Sequence, residues 1–193
     1  MLTALRRSLA GLAARRAERS PTPGRAARWH RLACALSPDF VPSYRALAGL
    51  LLQRSDRWGA RALAQQAAER FPDESDAWML LGESWLAVYR HEEALTAFEQ
   101  ALTLAERPAA ALAAGEVLRR SGRYAEAAER FSRAYAAGGG PDALRQNAAA
   151  LYQAGDAAAA DQALALWAQQ VPGGAAQLAA VRTEMKLLVG RKD

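Results

Sequence analysis

The chain has 193 residues, a formal charge of +5 and a composition that is 51% hydrophobic. Such a share is enough to bury a core and excludes a disordered tail, and no apolar run approaches the ~18 residues needed to span a bilayer. Alanine dominates while Val, Ile and Thr are scarce, so helix propensity outweighs strand propensity and the expected class is all-α.

The charge is uneven. Residues 1–40 hold eight arginines against Glu18 and Asp39, a net of +6, while the rest of the chain sums to −1. Any pull toward nucleic acid or an acidic surface therefore belongs to the first segment. Cys34 stands alone, so no intrachain disulfide forms, and a reducing, cytoplasmic setting is expected. The bias toward alanine and arginine, with Lys186 and Lys192 as the only lysines, fits a GC-rich bacterial source. A cleavable secretory signal is not expected, because Arg15 and Arg16 arrive before a long apolar core develops; a mitochondrial presequence is the competing reading.

In chain order, residues 1–40 read as a degenerate basic helix pair. Helix one runs to about Ser20, with Leu2, Leu5, Leu9 and Leu12 on one face and Arg6, Arg7, Arg15, Arg16 and Arg19 around it. Pro21-Thr22-Pro23-Gly24 makes the turn, and the second helix carries Ala26, His30 and Ala33 to Pro38. The favoured expectation is that the leucines pack on the next pair and the arginines stay solvated. Peripheral contact of residues 1–20 with an anionic membrane is the alternative. The arginines could also meet a nucleic-acid backbone, but no aromatics interleave with them, so base stacking has no support and a nucleic-acid partner is not expected.

Residues 41–74 give Tyr44, Leu47, Ala48 and Leu51, then Ala60, Ala64, Ala67 and Pro72. In 75–107, Trp78, Leu81, Gly82 and Trp85 share a helical face, with Asp76 placed to cap that helix. After a break at Val88–His91, Ala94, Phe98 and Ala101 mark a second helix. Residues 108–140 repeat this with Ala111, Ala114, Gly115 and Leu118, a turn at Gly122, then Ala127, Phe131 and Ala134. Residues 141–174 give Leu144, Asn147, Ala148 and Leu151, then Ala160, Leu164, Trp167 and Pro172. Finally, 175–193 holds a capping helix with Leu178, Val181, Met185 and Leu188 on one face, and a short tail.

Ala94, Phe98 and Ala101 recur 33 residues later as Ala127, Phe131 and Ala134, and Gly82 recurs as Gly115 at the same interval. A fixed period in this range marks helix pairs stacked in a solenoid. The pattern resembles the tetratricopeptide repeat, most closely over Trp78–Ala101 and Gly122–Phe131. Trp85 stands where that family usually has Tyr, Ala48 and Ala64 replace its Gly and Phe, and Trp167 replaces a small alanine. Trp167 is expected to mark a change of stacking geometry, a docking point for the terminal helix, or a site of self-association into a homo-oligomer.

The resemblance implies a right-handed α-α superhelix of about five helix pairs plus the cap. It also implies a concave groove, lined by the first helix of each pair, that binds another protein or peptide. Carried onto this chain, the apolar floor of the groove is Leu52, Met79, Leu80, Leu86 and Leu112. Its charges are Arg45, Glu83, Glu116, Arg119, Arg120 and Arg145, with Gln53, Gln146 and Tyr152 as polar contacts. Exposed in a row, such leucines suit a peptide; packed within the stack, they do not. The clamp by which some relatives hold a C-terminal carboxylate is not reproduced, because Arg45, Gly49, Met79 and Glu83 occupy its places.

Catalytic chemistry is not expected. His30 and His91 lie in no metal-ligand spacing, and Cys34 among small neighbours reads as a buried hydrophobe. Gly138-Gly139-Gly140-Pro141 lacks the Gly-Lys-Ser/Thr of a phosphate loop. No cofactor and no metal are implied. The function expected is a non-catalytic scaffold or adaptor. The alternative is an accessory subunit of a larger enzyme, secretion or membrane-associated assembly, docked by the convex face or the basic N-terminal helix.

Overall fold

A computed structural model describes residues 2–20, 22–36 and 41–189. Pro21, Pro38 and the tail after Val189 lie outside these, as do the side chains of Leu2, Arg7 and Leu188. Among the described residues there are helices and turns and no strand. The chain falls into two compact units, Met1–Leu104 and Ala105–Asp193.

Unit 1 holds three hairpins: α1 (Leu2–Glu18) with α2 (Pro23–Leu36), α3 (Val41–Gln53) with α4 (Arg57–Arg70), and α5 (Ser75–Ala87) with α6 (His91–Leu104). Unit 2 holds α7 (Pro108–Arg120) with α8 (Tyr124–Ala136), α9 (Gly140–Ala154) with α10 (Ala157–Gln170), and the capping helix α11 (Gly174–Val189). Within each unit every helix packs on the next, and first helices also meet: α3 touches α5, and α9 touches α11. Helices this short are marginal alone in water, so their stability comes from this stacking.

The periodicity has a steric origin. Phe98 and Phe131 are fully buried, and each ring lies against the bare Cα of Gly82 or Gly115. A Cβ added at Gly115 would sit 2.7 Å from Phe131 Cε1, and at Gly82 the fit to Phe98 is tighter still. In the hairpins to either side the same two places hold Ala48 with Ala64 and Ala148 with Leu164, all buried. Where the first helix gains a methyl, the second gives up its aromatic ring. Trp78 and Trp85, which share the helical face of Gly82, are only half-buried. The 41–74 hairpin regains an aromatic contact elsewhere, with Tyr44 meeting the Phe71 ring edge-on at 5.8 Å.

The turns repeat as well. Ser55, Tyr89, Gly122 and Gly155 all have left-handed backbone, at φ 62°, 63°, 78° and 90°, and each lies in the link between a first helix and its second. Glycine adopts this conformation without steric cost and the other two do not. Asp56 and Asp156 cap α4 and α10, accepting from Gly59 N–H at 2.9 Å and Ala159 N–H at 3.0 Å.

Three expectations are corrected. Asp76 is not a cap: α5 starts at Ser75, and Asp76 sits in its first turn, 3.9 Å from Arg45. Pro23 opens α2 instead of lying in the turn, since the first helical position needs no N–H and suits proline's fixed φ. Most consequentially, the α1 leucines do not pack inward. Ala10, Ala13, Ala14 and Ala17 form the buried face, while Leu5, Leu9 and Leu12 are exposed. Ala10 and Ala13 share a core with Ala33, Trp29 and Leu36.

At the other end, α11 lays Leu178, Val181 and Met185 on Ala148, Tyr152, Ala160 and Leu164. The Tyr152 hydroxyl donates to Asp161, Arg182 pairs with Asp161 at 2.7 Å, and Lys186 lies over the Tyr152 ring at 5.9 Å. Trp167 is 5% exposed, so its ring is a core element of unit 2 and offers no face to a second copy.

Two stability outcomes follow from the glycine–phenylalanine contact. Phe98→Ala is expected to lose about 3–5 kcal/mol in urea unfolding. Gly115→Ala is expected to lose about 1–3 kcal/mol by overpacking, and Phe131→Leu in the same chain to recover part of that loss. Strict additivity in the double-mutant cycle would mean the ring and the Cα do not constrain each other.

Candidate functional site

The first helices carry the expected groove residues, and the two units use them differently. In unit 1, Met79 and Leu80 are 6% and 4% exposed, so they form core and cannot serve as an accessible floor. Leu80 packs among Ala77, Leu81 and Ala97. Leu52 and Gln53 are exposed and Leu86 is half-buried. Arg45 reaches from α3 to α5 and donates to both Glu83 oxygens, at 3.0 and 3.1 Å. The two expected charges of this face therefore neutralise one another.

Unit 2 leaves a cleft of about 680 Å3 along α7, α9 and α11. Leu112, Ala113 and Ala149, all half-buried, give it an apolar floor, the buried Met185 closes one side, and Glu116, Arg119, Asp142, Arg145 and Glu184 give it a charged rim, with Gln146 and Gln153 between. Five residues singled out from the sequence meet here: Leu112, Glu116, Arg119, Arg145 and Gln146. Arg120 does not line the cleft and instead pairs with Glu116 at 2.7 Å. Tyr152 is buried under α11, and its neighbour Gln153 lines the cleft in its stead. Ala113, Asp142, Ala149 and Gln153 lie at the same first-helix register positions as the residues expected there, so the register reached them too. Glu184 and Met185 were not, because α11 lies outside the repeat.

The rim is partly fixed and partly free. Glu116 accepts from Arg119 Nε and Nη2 at 2.9 Å each and from Arg120 Nε at 2.7 Å. Burial pushes the Glu116 carboxyl up, but the hydrogen bonds from Arg119 and then Arg120 outweigh it and hold the group below its ordinary value. The Arg119 guanidinium is correspondingly raised by its bonds to Glu116. Arg145 is exposed and has no ion-pair partner among the described residues. Gln153 carries a buried side-chain oxygen that no donor satisfies.

Elsewhere, burial pushes the Cys34 thiol up to about 11, which keeps it protonated at neutral pH. His30 is buried, and desolvation holds its imidazole below the ordinary value against the raising pull of Glu18. Among the described residues, no group of three or more His, Cys, Asp and Glu could hold a metal ion, and no helix is long and apolar enough to cross a membrane.

Comparison of the whole chain with solved structures gives the class. No family model matches the sequence, and no curated protein matches it. Structures of tetratricopeptide proteins do match in fold. A crystal structure of MamA superposes with a TM-score of 0.68 at 15% identity, covering 88% of this chain and 91% of that one. TTC0263, a thermophilic TPR protein of Thermus thermophilus, gives 0.65 at 19% identity over 92% of this chain and 99% of its own. YrrB, a TPR protein with an unusual peptide-binding site, gives 0.65 at 18% identity over 86% and 85%. The fold is that of the tetratricopeptide repeat.

The Glu116 geometry sets a pH dependence. A carboxyl held below its ordinary value in the folded state stabilises the fold at pH above the unfolded pKa, near ~4.3 for Glu, and loses that contribution as pH falls through the folded value. Glu116→Gln is therefore expected to lose less stability than the parent between neutral pH and about pH 3.5, read by urea unfolding at both.

Proposed function

We propose that this protein is a non-catalytic interaction scaffold that holds a peptide segment of a partner protein in the α7–α9–α11 cleft. The observation that carries this reading is the open cleft itself: an apolar floor of Leu112, Ala113 and Ala149 beneath a rim of mixed charge. Apolar floor with a few directed polar groups is the composition of a peptide site. Arg145, without a carboxylate of its own, supplies a cation for an acidic residue of the guest. Gln153, whose side-chain oxygen lacks a donor, supplies an acceptor for a backbone N–H after a small rotation. A tetratricopeptide neighbour, YrrB, is described by its peptide-binding site, which supports the same use of this fold.

Neutralisation of Arg45 by Glu83 and burial of Met79 and Leu80 make the corresponding face of unit 1 the weaker candidate. A cytoplasmic setting belongs to this proposal and rests on the single cysteine, Cys34.

Peptides selected from a random library on the full chain give the test. Arg145→Glu is expected to weaken the selected peptides at least about tenfold, the order expected for one charge-assisted contact, with helical circular dichroism unchanged. Leu112→Ala should weaken them independently of salt. Peptides bound equally by both variants would place the site elsewhere.

A further inference from the structure

The first hairpin of unit 1 exposes what a folded chain ordinarily covers. Leu5, Leu9 and Leu12 on α1 are 58%, 41% and 54% exposed, and Leu32 on α2 is 42% exposed. Leu12, Trp29 and Leu32 line a cleft of about 1090 Å3 between these helices. Arg15, Arg16, Arg19, Arg25 and Arg28 line the same cleft, and no carboxylate does. Arg16 lies over the Trp29 ring at 5.1 Å. Among the described residues none of these five has an ion-pair partner, whereas Arg45, Arg90, Arg119, Arg123, Arg133 and Arg182 all pair with carboxylates.

The C-terminal dipole of α1 accounts for Arg15 and Arg16, which sit in its last turn. It does not account for Arg25 and Arg28 on α2, nor for leucines turned to water. Helical spacing puts Leu5, Leu9 and Leu12 on one face and continues that face into Arg16 and Arg19.

We propose that this face of α1 and α2 docks on an anionic lipid surface, leucines at the acyl boundary and guanidinium groups on the lipid phosphates. A nucleic acid would engage the arginines and leave the leucines wet. An acidic protein would need apolar pockets and carboxylates in matching register. A fluid leaflet takes both at once, because arginine's long stem lies along apolar material while its head reaches phosphate. Three or four leucines alone bind weakly, and the arginines alone bind any polyanion; the two together make a reversible, charge-selective dock. This site is separate from the unit 2 cleft and does not depend on it.

Sedimentation of the full chain with vesicles tests the dock, using phosphatidylcholine with about one-third phosphatidylserine against phosphatidylcholine alone. Binding is expected only with the anionic vesicles. Combined Arg15→Gln, Arg19→Gln and Arg28→Gln should lower partitioning on the order of a hundredfold. Combined Leu5→Ser, Leu9→Ser and Leu12→Ser should lower it about tenfold, with helicity unchanged because these side chains are exposed. Arg145→Glu, in the peptide cleft, should pellet like the parent. The proposal is overturned if anionic vesicles pellet no protein. It is equally overturned if the serine variant pellets as well as the parent, which would identify a general polyanion site, or if polyglutamate binds and vesicles do not.

Discussion

The distance between the two helices of a hairpin is set where an aromatic ring on the second meets a bare Cα on the first. Phe131 on Gly115 leaves no room for one further carbon, 2.7 Å being far inside van der Waals contact, and Phe98 on Gly82 is closer. Interiors pack at the density of organic crystals, so a ring and a methyl cannot share that volume. The hairpins around these two solve the same volume differently, with Ala48 and Ala64 or Ala148 and Leu164. What recurs is therefore a summed size at two places, not a residue type at one. Each hairpin so spaced presents an outer face that only a neighbour can cover, and the α3–α5 and α9–α11 contacts are the result.

Much of this was legible from residues alone, because a size constraint repeated every 33 positions is visible as letters. The helices, their order and the turn at Gly122 follow from it. The inward face of α1 was not legible, for a physical reason. Leucine on a helix ordinarily marks its buried side, yet Ala10, Ala13, Ala14 and Ala17 are the residues turned inward. Hydrophobicity ranks leucine above alanine, and on that ranking α1 would be turned the other way. Ser55 and Tyr89 were likewise unreadable as left-handed positions, since neither residue type advertises the conformation that Gly122 does.

The candidate groove was half legible. Register gave the first-helix face, and five of its residues meet in the unit 2 cleft. Depth was not readable, because the same register position is core at Met79 and accessible at Leu112. Nor could spacing reveal that Arg45 and Glu83, 38 residues apart, would satisfy each other. The wall formed by Glu184 and Met185 depends on where α11 docks, which Tyr152, Asp161 and Arg182 decide through tertiary contacts.

Charge pairing separates surfaces that composition alone would merge. An arginine beside a carboxylate, as Arg119 is beside Glu116 in a half-buried pair, is held in place. Its role is to shape a rim. An arginine with no carboxylate keeps its full attraction for an external anion, limited only by salt. Single free cations such as Arg145 suit a guest with one matching acid. Five together beside exposed leucines suit a surface that is itself both charged and apolar. On the lipid-docking proposal, the five arginines of the first hairpin act at a different place and on a different kind of partner from Arg145.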